Sequence, residues 1–440
     1  MNETTLHPSS ELNSQNTRLF AWIVWSLGAL FFFYEFLLQI APSVMSNELM
    51  RTFSISATEF GILTSFYFIS YATMQVPAGI LLDRFGPRAL LTFASCFCAI
   101  GSLIFGFAHH FHFVELARFI TGLGSAFAML GALVLVANWF PTNRFAFIHG
   151  LTITIGMLGA VFGGYPMSLV VQTFAWRPSM IALGLAGIAI TLLIWFIVRD
   201  RPQQPLAENH CRHENISTKE VLWALADIVK HPQSWIISLY GVLMYAPTTA
   251  MAWWGPSFIE SAFHTSKGPA AAMNSIIFIG WCFGSPIFGY LSDHIGRRKL
   301  PLYISSVFTL LSLLGIIYFT PDSLFLLGVL MFCFGFFTCG FIPSFSIIRE
   351  LHTSKASGTA LGFMNMIHNF GGAIAPPLVG FGLDFLWDGK IVDNTPIYGL
   401  TTYQHSLLIL PISIFLALVI LPIIPETFCK TKEQSSAENN

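Results

Sequence analysis

Glu35 and Arg118 are the two charged side chains that stand deep inside long apolar runs of this sequence. Burial of that kind is expensive, and by default it marks a residue for function. Glu35 has Gln39 at i+4 on its helical face, with Ser43 a turn further on, past Pro42. In a partly dry cavity its carboxylate could load and release a proton, or hold an ammonium group. The plain alternative is permanent pairing with a cation or a backbone group for packing. Arg118 shares a face with Thr121 and Ser125. Its planar fork could grip a carboxylate or pair with Glu35; the plain alternative is an ion pair with Glu115, three residues earlier. Together the two outline a site for a zwitterion, Arg118 on its carboxylate and proton traffic through Glu35.

Softer polar groups follow later in the chain. Tyr245, Thr249 and Trp253 recur at i, i+4 and i+8, and Asn365, His368 and Asn369 share another helical face. These are candidate ligand contacts, although aromatic stripes on apolar helices serve packing just as readily. His368 could titrate. Asn274 and Trp281 read as glue between helices. Two histidine groups, His109/His110/His112 and His210/Cys211/His213, lack a four-ligand metal spacing, so no metal is expected. No P-loop is present, so ATP is not expected to drive the chain directly; no cofactor is expected, and the chain reads as a transporter rather than an enzyme.

The elements that must position these groups follow from composition. Of 440 residues 54% are hydrophobic and 10% charged, with a mean hydropathy of +0.67. A soluble domain is nearer a quarter charged, so the chain reads as an integral membrane protein. A net charge of −1 argues against nucleic acid as a partner. Seven cysteines, mostly inside apolar runs, read as small buried hydrophobes. Residues 1–17 are polar and lack the pattern of a cleaved signal peptide. The glycosylation triplets at Asn2 and Asn215 fall in segments placed in the cytoplasm and read as chance.

About twelve apolar runs are long enough to cross a bilayer. Six lie near 20–45, 57–82, 89–108, 112–138, 145–172 and 178–198, and six near 234–258, 268–292, 300–319, 323–348, 357–386 and 402–425. The expected organisation is a polar N-terminus (1–19), a six-helix bundle (20–198), a linker (199–233), a second bundle (234–425) and a tail (426–440). Within the linker, residues 218–230 carry Val221, Leu222, Leu225, Ile228 and Val229 on one face, as an interfacial helix would. With both termini inside, sixteen Lys and Arg fall on the cytoplasmic side and four on the other, counted along the chain. That bias satisfies the positive-inside rule and, with the multi-pass pattern, points to a cell (inner) membrane.

Residues 79–91, GILLDRFGPRALL, recur imperfectly as GYLSDHIGRRKL at 289–300. Each copy joins two spans through a tight turn at Gly86 or Gly296, with an acid before it and basic residues after it. Six spans, a linker and six spans, with this loop repeated after spans 2 and 8, resemble the major facilitator superfamily. The match runs through Gly79, Leu81, Asp83, Arg84, Gly86 and Arg88, and again through Gly289, Leu291, Asp293, Gly296, Arg297 and Arg298. Pro87 and His294 depart from the pattern. Arg118, Gly122 and Gly124 match the family's run on span 4. Gly159, Gly163 and Gly164 match part of its antiporter pattern on span 5, where Ala160 replaces the proline and weakens a drug-efflux reading. Span 1 and the QVPAGILLDRFGPR loop look like the proteobacterial intraphagosomal amino-acid transporters.

The resemblance implies an all-α membrane protein of twelve transmembrane helices in two pseudo-symmetric six-helix bundles around a central cavity. It further implies a secondary transporter, usually monomeric, with Asp83, Arg84, Arg88, Asp293, Arg297 and Arg298 as a cytoplasmic gate and Arg118 linked to proton coupling. Proton-coupled uptake of a small polar organic solute, an amino acid first, is the leading expectation. Efflux of amphiphilic compounds and a non-transporting membrane receptor are the alternatives.

Overall fold

In a bilayer the backbone must satisfy its own hydrogen bonds, and the apolar runs do so as helices. The computed structural model describes residues 8–201, 218–319, 323–353, 356–392 and 395–429. The group at His210, Cys211 and His213 lies outside the described residues. Twelve long helices follow one another among the described residues. In the first half they are α1 (Pro8–Ile40), α2 (Ala57–Phe85), α3 (Pro87–Phe107), α4 (Phe111–Trp139), α5 (Thr142–Phe174) and α6 (Trp176–Ile197). In the second half they are α7 (Pro232–Phe263), α8 (Lys267–Ile295), α9 (Lys299–Phe319), α10 (Leu324–Leu351), α11 (Ser357–Phe385) and α12 (Leu400–Ile423). A further helix occupies Thr218–Lys230 and packs on α11 and α7.

Ten of these helices are long and apolar enough to span a membrane. The other two, α2 and α11, are each 29 residues but carry more polar side chains. The reason lies in their place. The second helix of one half packs against the fifth of the other at both seams, α2 on α11 and α8 on α5. This pairing is the pseudo-twofold relation expected of an internal repeat. Ser65 and Gln75 on α2 and Asn365 on α11 face protein across the seam rather than lipid.

The repeated loops form as their glycines require. Gly86 has φ +78° and Gly296 φ +68°, conformations that a side chain disfavours. Pro87, which departs from the family's loop pattern, takes the first position of α3, which a proline suits because its missing N–H costs nothing there. These loops define the basic face of the molecule.

The two halves meet tightly toward the far face and separate toward the basic one. At Gly61 an added Cβ would lie 2.6 Å from Cα of Pro377 across the seam. Ser65 donates to the Ala373 carbonyl at 2.5 Å, and Asn365 donates to Gln75 Oε1 at 2.9 Å. Beyond Gln75 no hydrogen bond crosses between α2 and α11 among the described residues. An added Cβ at Gly79, Gly289 or Gly358 would meet nothing within 4 Å.

Candidate functional site

Helix α1 stops its regular turns at Ile40, where a tighter segment, Ala41–Met45, takes over. Pro42 has no N–H to return to the Leu38 carbonyl, four residues earlier. Arg118 fills that vacancy from α4. Its Nη1 donates to the Leu38 carbonyl at 2.9 Å, and its Nη2 lies 3.5 Å from the Gln39 carbonyl. The guanidinium carbon sits 4.5 Å from the centroid of the Tyr67 ring and 5.6 Å from that of Trp253, in cation–π contact with both. Arg118 Nε has no partner among the described residues.

Glu35 is buried one turn earlier on α1 and accepts a hydrogen bond from the Tyr67 hydroxyl. Tyr67 therefore stands between the carboxylate and the guanidinium. Two expectations change here. Glu35 and Arg118 form no direct ion pair, because the Tyr67 ring separates them. The fork of Arg118 is not free to grip a carboxylate from both nitrogens, because backbone carbonyls occupy it. The alternative pair with Glu115 does not form either, since Glu115 bonds His112 at 2.7 Å.

A cavity lies between the halves beside this group. Its polar lining includes Gln39, Arg118, Tyr245, Thr249, Trp253 and Trp281. The i, i+4, i+8 stripe of α7 thus faces the cavity. Trp281, expected as packing, lines it too, and its indole N–H is unpartnered, as is that of Trp253.

Glu35 does not line the cavity. Nor does His368, which stacks behind Tyr245 at 4.0 Å between ring centroids and against Phe341 at 4.8 Å. Asn369 donates to the Asn365 carbonyl at 2.7 Å, and Asn365 bonds Gln75, so both asparagines brace the seam rather than line the cavity. Asn274 sits against Gly255 between α7 and α8, as packing glue would.

Two loop arginines, Arg88 and Arg298, are bound within their own halves. Arg88 donates to the Trp195 carbonyl at 2.9 and 3.1 Å, and its backbone N–H donates to Asp200 at 2.8 Å. Arg298 bonds Glu350 at 2.6 Å and Asp293 at 2.5 Å. Burial works against the Arg298 charge, yet hydrogen bonds with Glu350 and Asp293 outweigh it and hold its pKa above the ordinary value. Arg84 and Arg297 are exposed, and the side chain of Asp83 lies outside the described residues.

Two stretches of the chain, residues 26–376 and 237–438, match the sequence pattern of the Major Facilitator Superfamily. The chain belongs to the major facilitator superfamily. Its curated relatives are transporters, and this chain is a transporter, not an enzyme. It is 24% identical over 370 residues to a probable sulfoacetate transporter of Cupriavidus necator, covering 80% of this chain and 85% of that one. It is 26% identical over 362 residues to the human lysosomal dipeptide transporter, covering 78% and 76%. A hexuronate transporter of Bacillus subtilis is 24% identical over 371 residues, covering 80% and 85%. Among solved structures, a bacterial homolog of the human lysosomal transporter Spinster superposes with a TM-score of 0.73 at 15% identity, over 91% of this chain and 96% of that one. The nucleoside transporter NupG does so at 0.72 and 16%, over 93% and 99%.

Within this superfamily fold, the sequence left several working residues unmarked. Tyr67 reads as one aromatic among many on α2. Asp384 lies at the far end of α11, where its carboxylate accepts from the backbone N–H groups of Ala57 and Thr58 at 3.0 and 2.7 Å. Glu48 and Lys267 pair at 2.5 Å across the same face. The partners of Asp384, Glu48 and Lys267 are hundreds of residues away, Tyr67 lacks a distinguishing neighbour on its helix, and only Glu350, an acid at a span end, had a local signal.

Proposed function

We propose that the chain is a proton-coupled uptake transporter for a small polar organic solute, working by alternating access, and that the described conformation is its inward-facing state. The observation that carries this reading is the cavity: it is sealed toward the far face, the halves part toward the basic face, and Arg118 lines it one aromatic ring away from Glu35. The positive-inside bias puts the basic face and both termini in the cytoplasm, and the membrane is read as the inner one. The chain is read as a monomer.

Glu35 is the proton site in this reading. The ionisable groups around it are Tyr67 and Tyr71 on α2, Cys98 on α3, Arg118 on α4 and Tyr245 on α7. An amino acid is the narrower solute favoured by the sequence, and its carboxylate has a cationic neighbour in Arg118. The loop residues Asp83, Arg84, Arg88, Asp293, Arg297 and Arg298 serve as the inner gate, disengaged here because each described contact stays within one half. Outward opening must replace the far-face contacts by others on the inner side.

The test is solute accumulation in proteoliposomes under an imposed pH gradient. Wild type accumulates solute, whereas Glu35→Gln loses accumulation and keeps solute exchange. Equal accumulation in the variant would remove Glu35 from coupling. Solute leaving against proton entry would favour efflux, and no flux of any solute would favour a receptor.

A further inference from the structure

Among the described residues, three N–H donors on cavity-lining side chains have no acceptor: Arg118 Nε, Trp253 Nε1 and Trp281 Nε1. The Thr248 hydroxyl on the same lining is unpartnered as well. Arg118 and Trp253 are each at least nine-tenths buried, and Trp281 is half-buried. Buried polar groups are normally satisfied, so a set of orphan donors around one empty space points to an acceptor that belongs there. The charge is equally one-sided. Arg118 is the one charged side chain among the described lining residues, and no carboxylate lines the cavity.

We infer that the cavity selects a small organic anion, a carboxylate or sulfonate on an uncharged body, and offers no acidic partner to an ammonium group. The acidic group of the solute accepts from Arg118 Nε and the two indole N–H groups, with Thr248 as a fourth donor. An indole N–H donates once and cannot accept, so the two indoles beside the arginine offer hydrogen bonds only to an acceptor. The body of the solute lies against the aromatic wall that Phe68 and Trp281 provide. This inference rests on the cavity being the transport site, as proposed above, and replaces the zwitterion by an anion.

Proton coupling follows from the same arrangement. With Glu35 ionised, its charge offsets that of Arg118 through the intervening Tyr67 ring. A proton on Glu35 leaves the arginine uncompensated, and the anion restores neutrality. Proton and anion therefore bind best together.

The experiment is a thermal-shift and tryptophan-fluorescence titration of the purified full chain with a matched series: phenylacetate, benzenesulfonate, phenylacetamide and phenylalanine. The expected result is saturable binding of the two acids, with the amide and the amino acid at least tenfold weaker. Trp253→Phe and Trp281→Phe should each weaken the acids about tenfold, the loss of one charge-assisted hydrogen bond, and leave the melting temperature without ligand within a few degrees. Equal binding of amide and acid overturns the inference. So does tighter binding of phenylalanine than of phenylacetate, or failure of all four together with binding of a neutral solute. Acid binding with flux indifferent to a pH gradient would uphold the anion site and reject the coupling reading, so the two fail separately.

Discussion

The carboxylate of Asp384, on α11, closes the N-terminus of α2 by accepting the backbone N–H groups of Ala57 and Thr58 from the opposite bundle. It also accepts from the Thr58 hydroxyl at 2.5 Å and from the Tyr398 hydroxyl at 2.6 Å. A helix start has orphan N–H groups and a positive end of the backbone dipole, so an acid there is doubly favoured. Within its own half, α2 already starts with a capping box of Ser56 and Glu59. Asp384 therefore serves the contact between halves. Asp384→Ala should shift the equilibrium toward a state open at the far face by about tenfold, since a hydrogen bond to a charged group contributes roughly 1.5–3 kcal/mol. The check is the rate at which a membrane-impermeant maleimide reaches Thr249→Cys from that face. An unchanged rate would mean the contact does not hold the seam.

The Glu48–Lys267 pair lies at the same face, but both side chains are partly exposed, at 33% and 27%. Exposed pairs are worth about 0–1 kcal/mol and are screened by salt. Lys267→Met should therefore raise the same labelling rate less than threefold, and less at high ionic strength. An effect larger than that of Asp384→Ala would reverse the order argued here.

How far the sequence could be read depends on the range of each interaction. Helix positions, the turns at Gly86 and Gly296 and the stripe of Tyr245, Thr249 and Trp253 are local patterns found where their spacing placed them, and ten of the twelve expected spans are long and apolar enough to cross a membrane. Glu35 and Arg118 stood out because lone charges in apolar runs are rare. Their relation did not, because it runs through Tyr67, and nothing in the spacing of α2 distinguishes that tyrosine from Tyr71. The occupied fork of Arg118 had a signal in retrospect: Pro42 four residues after Leu38 announces an orphan carbonyl. Asp384 had none, since its partner is a helix start more than 300 residues earlier. His368 shows the opposite failure. A histidine in a span suggests titration, whereas here it stacks as a flat ring behind Tyr245.

A buried ion pair should reveal itself through stability rather than transport. The side chains of Arg298 and Glu350 are 6% and 2% exposed, and Thr427 adds a hydrogen bond to the same carboxylate. Removing one partner strands a buried charge, at a cost of about 3–5 kcal/mol, while replacing both by apolar groups is often neutral. Glu350→Leu alone should lower the melting temperature markedly. The double variant Arg298→Met with Glu350→Leu should recover most of that loss. No recovery would mean that Asp293 and Ser292, which also bond Arg298, hold the loop on their own account.

If a proton on Glu35 and an anion near Arg118 travel together, one cycle moves no net charge for a monovalent solute. Uptake into proteoliposomes should then respond to a pH gradient and stay within about twofold when valinomycin and potassium set the membrane potential instead. A steep dependence on potential at fixed pH would require a second proton or another ion. Glu35→Gln should abolish the response to pH and leave the indifference to potential intact, because the variant can only exchange.

The seam itself offers a steric test that leaves every charged group in place. At Gly61 an added Cβ would lie 2.6 Å from Cα of Pro377 and 2.9 Å from its nitrogen, both backbone atoms of the other half. Backbone cannot rotate aside as a long side chain can, so Gly61→Ala must push α2 and α11 apart. Gly79 lies five turns along the same helix, and an added Cβ there meets nothing within 4 Å. Both substitutions raise the helix propensity of α2 by about 1 kcal/mol in every conformation, so overall stability is not the readout. The distribution between states is. Gly61→Ala should increase maleimide access to Thr249→Cys from the far face, as Asp384→Ala does, whereas Gly79→Ala should leave it unchanged. Because closing toward the basic face brings the ends of the helices together, Gly79→Ala should act there if at all, by slowing return from the outward-open state. Equal effects of the two alanines on far-face access would mean that α2 moves as a flexible rod, and the rigid rocking of one bundle on the other would have to be given up.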